Sequence, residues 1–263
     1  MPRANRHFIP GYVWHITHRC HKKEFLLKFA RDQRRWMEWL FEVRKRYGLS
    51  VLNYIVTSNH IHLLVADDGT EDTIASSLQL IAGRTGQEYN QRKNRNGAYW
   101  EDRYHATAVE KGKHLFECMI YIDLNMVRAG AVDHPSKWVF SGYHEIQNPR
   151  ERYRIIDYEK LLALLEMKDI AQFQEACRNR VEESLKLNTI AKNDQWSKSI
   201  AIGSENFVMN TMEKLGIKVK GREVVEANGR YHLKEPAISY KSIFTPENGD
   251  LRPKNAYFWD DIP

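Results

Sequence analysis

The sequence predicts an α+β fold in which helices flank an antiparallel sheet. Two observations lead to this prediction. Strand-like and helix-like segments follow one another in the order β-α-β-β-α-β-α between residues 12 and 128. The chain of 263 residues is 42% hydrophobic and 28% charged, which is ordinary for a protein with a sizeable buried core. This order of elements is typical of a ferredoxin-like sheet with an extra helix at its edge or back.

The spacing of apolar residues predicts each element of this first region. Apolar and polar residues alternate in YVWHITHRC (12–20), which indicates a strand. They recur at helical spacing in RDQRRWMEWLFEVRKRYG (31–48), where Gly48 ends the helix. The remaining predicted elements are strands at 49–57 and 60–66, a helix from DDGTED (67–72) to about residue 90, a strand near 104–110 and a helix at 113–128.

The character of the sequence changes after Pro149. Three further helices are predicted in YEKLLALLEM (158–167), DIAQFQEACRNRVEESLKL (169–187) and SENFVMNTMEKLG (204–216). The last segment, 239–263, contains Pro and Gly without any periodicity, and we expect it to be irregular. We therefore predict a domain at 1–148, followed by a mostly helical C-terminal extension with an irregular tail at 149–263.

The positive charge of the chain lies in its first part. Residues 1–150 contain 22 Lys and Arg against 16 Asp and Glu, whereas residues 151–263 contain 18 of each, so the first part carries the whole net charge of +6. This asymmetry favours a polyanionic partner. No segment approaches the roughly 18 apolar residues that span a bilayer. The N-terminal MPRANRHFIPG lacks the apolar stretch of a signal peptide, so we expect a cytoplasmic protein without a membrane segment.

The three cysteines, Cys20, Cys118 and Cys177, are widely spaced and predict no disulfide framework. Cys20 lies in HRCH (18–21), which has the composition of half a zinc site. No second half-site of suitable spacing follows, so we interpret Cys20 as a small buried thiol.

Two histidines interrupt a strand that is otherwise apolar. In HIHLLVA (60–66), His60 and His62 share one face, because successive side chains of a strand point to opposite sides. Two imidazoles side by side on a rigid strand are suited to hold a metal ion. The alternative is a pair of satisfied core histidines, and the choice depends on which residues meet them.

The helix at 113–128 supplies such residues. At the helical repeat, a narrow polar stripe within about 80° contains His114, Glu117, Tyr121, Asn125 and Arg128. This combination is suited to phosphodiester chemistry, because a divalent cation offsets the phosphate charge while a tyrosine attacks and holds the DNA end. His60, His62 and the Asn125 oxygen would hold the ion, and Tyr121 would be the nucleophile.

These motifs carry a resemblance to a known family. HIH followed by apolar residues, together with a helix bearing YIDLNMVRAG (121–130), resembles the HUH single-tyrosine transposases, and among them most of all the REP-associated tyrosine transposases. YVWHITHRCHKKEFLL (12–27) is similar to that family's opening strand and loop, and YWEDRYHATAVE (99–110) to its strand before the tyrosine helix. The resemblance covers about residues 8–147. Met126 stands where the family usually has a proline.

The resemblance implies a metal-dependent endonuclease and strand transferase. Such an enzyme nicks and rejoins hairpin-containing single-stranded DNA through a 5′-phosphotyrosine intermediate, and its ion is Mg²⁺ or Mn²⁺. Carried over residue by residue, Tyr121 is the catalytic residue and His60, His62 and Asn125 are the metal ligands. The resemblance also implies a monomer, with a homodimer left open.

Other side chains near these motifs are candidates for supporting roles. His15 and Glu117 would support the metal ligands from behind. The candidate DNA-binding residues are Arg19, Arg84, Arg92, Arg95, Arg103 and Arg128. The candidates for stacking on unpaired bases are Tyr89, Tyr99, Trp100 and Tyr104.

Two other functions compete with this interpretation. A non-cleaving regulatory protein that binds hairpins on the same scaffold is the first alternative, and the intact set of Tyr121, Asn125 and both histidines favours the enzyme over it. A zinc hydrolase is disfavoured, because HIHLLVADD (60–68) has no Asp-His continuation after its two histidines and this class leaves the tyrosine unexplained.

Overall fold

A computed structural model gives the structure of residues 8–69, 72–190, 193–219, 221–227 and 229–234. In chain order, its first region contains β1 (Val13–Arg19), α1 (Ala30–Tyr47), β2 (Ser50–Val56), β3 (His60–Ala66), α2 (Thr73–Lys93), β4 (His105–Val109), α3 (Lys113–Asp123), α4 (Asn125–Arg128) and α5 (Gly142–Gln147). The predicted β-α-β-β-α-β-α order is therefore confirmed.

The C-terminal extension contains both helices and strands. Its elements are α6 (Tyr158–Leu165), α7 (Ile170–Lys186), α8 (Gln195–Lys198), β5 (Ala201–Gly203), α9 (Glu205–Leu215), β6 (Glu223–Ala227) and β7 (Arg230–Lys234). The three predicted helices are present as α6, α7 and α9. The three strands were not predicted, because they are short and have no strong alternation of apolar residues.

One seven-stranded sheet runs through both regions in the order β2-β3-β1-β4-β5-β7-β6. The four strands of the first region pair antiparallel in the ferredoxin-like arrangement, which confirms the predicted α+β fold class. The extension joins this sheet at its open edge, where β5 pairs parallel to β4, so the complete sheet is mixed rather than purely antiparallel. The division of the chain at residue 148 stays a prediction.

The two faces of the sheet carry different layers. On one face, His18 stacks on Trp100, whose indole Nε1 donates a hydrogen bond to the Ala82 carbonyl in α2. The apolar stripe of α1, including Trp36 and Leu40, is buried in the core. Helix α3 and the extension cover the opposite face. Because both faces are covered, β2 and β3 are buried almost throughout their length.

Two local expectations differ from the structure. The predicted continuous helix at 113–128 is interrupted at Leu124 (φ −78°, ψ 4°), which separates α3 from α4. Asp72 precedes α2 as expected, but its backbone is left-handed (φ 63°) and its side chain accepts no capping hydrogen bond. The predicted irregular tail at 239–263 lies outside the described residues.

The cysteine prediction holds for the described residues, where Cys20, Cys118 and Cys177 are all free and buried. In the same part of the chain, no helix has the length and hydropathy needed to cross a bilayer.

Candidate active site

The pairing of β1 with β3 brings three histidines to one face of the sheet. His62 lies opposite Thr17 and His60 lies opposite Arg19, so these four side chains point to the same side. His15 is the next residue along β1 on that face, and its ring stacks on His62 with 5.0 Å between centroids. The rings of His60 and His62 also lie 5.0 Å apart, at right angles. The strand alternation predicted from the sequence therefore builds a cluster of imidazoles.

Hydrogen bonds fix the tautomers of the two buried histidines. His15 Nδ1 lies 2.7 Å from the Trp196 carbonyl, and His15 Nε2 lies 2.9 Å from His62 Nδ1. A carbonyl only accepts hydrogen bonds, so Nδ1 of His15 carries a proton. Nε2 of the neutral His15 ring then accepts the proton of His62 Nδ1. His62 consequently presents an unprotonated Nε2, which faces the Asn125 amide at 3.0 Å.

Burial keeps both rings neutral. It lowers the pKa of His15 to about 4, an effect that the hydrogen bond to Trp196 only partly opposes. Burial also lowers the pKa of His62 well below its ordinary value, and the neighbouring His15 and His60 add to this shift. Neutral imidazole is the form that ligates metal ions, so the electrostatics of this cluster favour ligation.

His60 is held in a matching tautomer at the start of β3. Its Nδ1 lies 2.7 Å from Asn59 Oδ1, which accepts the proton of that nitrogen. Thr57 Oγ1 lies 3.0 Å from the same nitrogen and donates its own proton to the His60 carbonyl. In the neutral ring, Nε2 of His60 is therefore the unprotonated nitrogen.

Tyr121 reaches this cluster from α3. Its ring centroid lies 6.0 Å from that of His62 and 6.3 Å from that of His15, edge-on to both rings. The Arg128 guanidinium lies 4.1 Å from the centre of the tyrosine ring, and its Nη2 donates a 2.6 Å hydrogen bond to the Tyr121 carbonyl. Burial raises the pKa of Tyr121, while Arg128 and a hydrogen bond with Ser197 act in the opposite direction.

Asn125 lies at the point where α3 gives way to α4. The interruption at Leu124 precedes it, and its side chain contacts His62 across 3.0 Å. The structure therefore assembles Tyr121, His62, His60 and Asn125 as the sequence predicted. Among the described residues, no group of three or more His, Cys, Asp or Glu side chains is placed to hold a metal ion.

Glu117 has a different position from the one expected. Its carboxylate forms a 2.7 Å ion pair with Arg230 of β7, and the Arg230 guanidinium lies 5.2 Å from the centre of the Trp196 ring. Glu117 therefore contacts the extension and does not support a metal ligand directly. Trp196, in turn, packs against Tyr121 with 6.2 Å between ring centroids.

The predicted DNA-binding arginines fall into two groups. Arg92 pairs with the buried Asp32, Arg95 bonds Asn90 and the Ala98 carbonyl, and Arg128 is engaged with Tyr121. The side chains of the second group make no hydrogen bond or ion pair with any described residue. This group consists of Arg19, Arg84 and Arg103. Arg19 is exposed and lies opposite His60 in the pairing of β1 with β3, which places it at the site.

Two of the aromatic residues that were candidates for base stacking pack inside the protein instead. Tyr99 is buried, and Trp100 stacks on His18 with only 4.0 Å between ring centroids. Their rings therefore serve the packing of α2 against the sheet.

A basic groove lies on the face of the sheet opposite the histidines. It consists of two adjoining cavities of about 500 and 820 Å³ on α1 and α2, which share Arg34, Arg35 and Glu38. Arg84 lies over the Trp39 ring at 5.7 Å within the larger cavity. Arg34 makes no ion pair among the described residues, so its charge is available to an anionic partner.

Sequence reasoning missed Trp196 and Arg230, which complete the surroundings of the tyrosine. Both lie in the extension, more than 70 residues from Tyr121, in segments without a recognisable motif. No local pattern could have indicated them, because only the pairing of β5 with β4 brings the extension to this face.

Comparisons with known proteins relate the chain to transposases. Residues 10–125 match the family model described as Transposase IS200 like, a span that includes all four residues of the predicted site. Among solved structures, a REP-associated tyrosine transposase bound to a REP hairpin is 19% identical, with a TM-score of 0.48, over 60% of this chain and 94% of that chain. A protein from Deinococcus radiodurans R1 assigned as a transposase is 14% identical, with a TM-score of 0.31, over 40% of this chain and 83% of that chain. No curated protein matches the chain.

The family match confirms the resemblance drawn from the two histidines and the tyrosine helix. It begins before β1 and ends at Asn125, so it coincides with the part of the chain that builds the site. Residues 10–125 of this chain are therefore similar to the IS200-like transposases.

Proposed function

We propose that the protein is a REP-associated type of DNA strand transferase that nicks and rejoins hairpin-containing single-stranded DNA. The observation that carries this proposal is the convergence of Tyr121, His62 and Asn125 on one face of the sheet, with His60 beside them. Apolar packing does not require the contact of the Asn125 amide with the unprotonated ring nitrogen of His62, which are 3.0 Å apart. We place the reaction in the cytoplasm.

Tyr121 is the nucleophile in this proposal. Its Oη forms a bond to phosphorus while the bond between phosphorus and the 3′ oxygen breaks. The phenolic proton leaves Tyr121 and the departing 3′ oxygen takes up a proton, so the products are a 5′-phosphotyrosine and a 3′-OH. Rejoining reverses each change, and the energy of the broken bond is conserved in the phosphotyrosine.

Arg128 prepares the phenol for this step. Since burial raises the pKa of Tyr121, the free protein holds the phenol protonated at neutral pH. The Arg128 guanidinium over the ring favours the phenolate as it forms. Arg19, exposed beside His60, is placed to bind a phosphate of the same strand.

A divalent cation, Mg²⁺ or Mn²⁺, is part of the proposal. His60, His62 and Asn125 would hold it, and the donor set fits because burial keeps His62 neutral with Nε2 unprotonated, and the hydrogen bond to Asn59 leaves Nε2 of a neutral His60 ring unprotonated as well. His62 Nε2 and the Asn125 amide are 3.0 Å apart, which lets one ion contact both side chains. Asn125 would turn its carboxamide so that Oδ1 faces the ion. The bound ion offsets the negative charge of the phosphate.

Covalent capture tests the proposed function. Labelled hairpin oligonucleotides with single-stranded flanks are incubated with the protein and Mn²⁺ or Mg²⁺ and separated on a denaturing gel. We expect a metal-dependent protein–DNA band that disappears in Tyr121→Phe and persists in the matched control Tyr47→Phe, a tyrosine at the end of α1. Because imidazole suits softer ions, Mn²⁺ should support the larger yield.

A different outcome would favour a protein that binds hairpins without cleaving them. In that case, DNA would bind with the same affinity to the wild type and to Tyr121→Phe. No covalent band or cut would appear with either metal.

A further inference from the structure

A line of hydrogen bonds connects the C-terminal extension to a proposed metal ligand. It runs from the Trp196 carbonyl to His15 Nδ1 over 2.7 Å, and from His15 Nε2 to His62 Nδ1 over 2.9 Å. All three residues are buried, with side chains no more than 4% exposed. Water therefore does not compete for these bonds, and each is stronger than it would be at the surface.

Because these hydrogen bonds begin at a backbone carbonyl, the donor and the acceptor of each bond are fixed. The carbonyl can only accept, which places the proton of the neutral His15 ring on Nδ1. His15 Nε2 must then accept from His62 Nδ1, and the lone pair of His62 is left on Nε2. If the Trp196 carbonyl were elsewhere, His15 could carry its proton on Nε2, which would turn the lone pair of His62 away from Asn125.

The Trp196 carbonyl is itself fixed from two sides. Thr107 of β4 donates from Oγ1 to the Ser199 carbonyl over 2.6 Å and lies 3.3 Å from the Trp196 carbonyl. The Ala108 amide of β4 donates to the Ile200 carbonyl over 2.8 Å. On the other side, Arg230 packs on the Trp196 ring and pairs with Glu117 of the tyrosine helix.

We infer that His15 is a positioning residue and that the extension, through the Trp196 carbonyl, completes the metal site of residues 10–125 by fixing the tautomer of His62. This inference rests on the proposed function for the identity of the ligand. The family match ends at residue 125 and does not include the extension. The inference therefore gives the extension a role in the site that the family match does not cover. Backbone carbonyls that fix a ligating histidine in this way typically raise metal affinity.

The first test measures Mn²⁺ affinity of the full chain without DNA, by isothermal titration calorimetry. We expect His15→Phe to weaken Mn²⁺ binding by about 10- to 100-fold. His15→Gln should restore part of the affinity, because its amide oxygen can accept the proton of His62 Nδ1. The matched control is His105→Gln, since His105 Nε2 bonds the Ser199 carbonyl of the same segment.

The second test reads the tautomers directly. Nitrogen-15 NMR of the imidazoles in the metal-free wild type should show His15 and His62 both protonated on Nδ1. In His15→Phe, we expect His62 to lose this single tautomer, while a thermal melt establishes that the variant is folded.

These results separate the inference from the proposed function. A proton on Nε2 of His15, unchanged Mn²⁺ affinity in folded His15→Phe, or no Mn²⁺ binding by the wild type would each overturn the inference. If instead both readouts behave as expected and no covalent DNA band forms, the positioning role stands and the strand-transfer proposal fails.

Discussion

At the scale of single residues, the site depends on which groups are kept neutral and which are charged. His15 and His62 are neutral because burial opposes their protonation. Arg128 keeps its charge beside Tyr121, where the guanidinium packs against the ring. Because the imidazoles are neutral, their nitrogen lone pairs can lie close to the charged Arg128 guanidinium although no ion pair forms among the described residues of the site.

Removal of the Arg128 charge should hinder formation of the phenolate. Since Arg128 opposes the rise in the pKa of Tyr121, Arg128→Met should shift the pH at which covalent capture is half-maximal upward. A desolvated cation–π contact contributes about 1–2 kcal/mol, so we expect capture at pH 7 to slow by roughly 5- to 30-fold. The control is Arg154→Met, which removes a guanidinium over the Tyr158 ring in the extension. An unchanged pH profile would remove Arg128 from the reaction.

Asp123 should make the stability of the protein depend on pH. Burial raises the pKa of its carboxyl group to about 7, and the hydrogen bond from Asn53 opposes the shift only partly. The folded state therefore holds a proton that the unfolded chain releases near pH 4. This contribution is complete below pH 4 and is lost as the pH rises through 7.

Asp123→Asn should flatten this dependence. Between pH 5 and pH 7, the wild type should lose stability relative to the variant. We expect the variant to gain roughly 1–3 kcal/mol in free energy of unfolding over the wild type across this range. Urea denaturation at the two pH values measures it. Asp133→Asn is the control, because that carboxylate is exposed and pairs with Lys137. Parallel curves for Asp123→Asn and wild type would contradict the prediction.

At the scale of elements, the tyrosine helix is positioned by an irregularity in β2. The register of β2 against β3 shifts between Val51 and Asn53. Asn53 then donates from Nδ2 to Asp123 over 2.9 Å, near the end of α3, while its Oδ1 accepts from the Tyr54 amide. The bulge therefore ties β2, the edge strand beside β3, to the helix that carries Tyr121.

Helix α5 packs tightly against this bulge at Gly142. A Cβ atom there would lie 2.0 Å from Asn53 Oδ1 and 3.0 Å from the Tyr54 amide nitrogen. Gly142→Ala should therefore displace Asn53 and lower the free energy of unfolding by about 1–3 kcal/mol.

Denaturation with urea checks this prediction against Gly83→Ala in α2. A Cβ at Gly83 meets nothing within 4 Å, and alanine is the better helix former by about 1 kcal/mol, so that variant should be as stable as the wild type or more stable. Equal stability of Gly142→Ala and wild type would show that the bulge can move freely.

At the scale of the whole molecule, the two faces of the sheet have separate chemical characters. The face with the histidines carries the candidate reaction. The other face carries the basic groove of α1 and α2, where Arg34 and Arg84 make no ion pair with any described residue. The net charge of +6 in residues 1–150 is therefore displayed partly away from the site.

The groove should contribute to DNA affinity through phosphate contacts. We expect Arg34→Ala combined with Arg84→Ala to weaken binding of a hairpin with single-stranded flanks. The slope of log affinity against log salt concentration should become shallower by roughly 1.4–1.8, because each lost phosphate contact removes about 0.7–0.9 from the slope. Fluorescence anisotropy over a series of salt concentrations measures this slope. Arg180→Ala removes an exposed charge paired with Glu183 and should leave the slope unchanged. If the double variant behaves in the same way, the groove does not bind DNA.

Local spacing was enough to predict the first four strands, the principal helices and the candidate residues that the structure brings together. The periods of two and 3.6 residues place His60 with His62 and Tyr121 near Asn125 without knowledge of the fold. Gly48 ended α1 as expected, since it adopts the left-handed conformation (φ 72°) that glycine accommodates. The interruption at Leu124 was missed because neither proline nor glycine marks it.

Only the tertiary structure decided which residues of the extension contact the candidate site. Whether Glu117 pairs with Arg230, and whether the Trp196 carbonyl meets His15, depends on the pairing of β5 with β4. The order and chemistry of the elements were thus determined by the sequence, because they follow from spacing along the chain. The tautomer of His62 and the partners of the arginines were decided by folding, because they follow from contacts between residues that are distant in sequence.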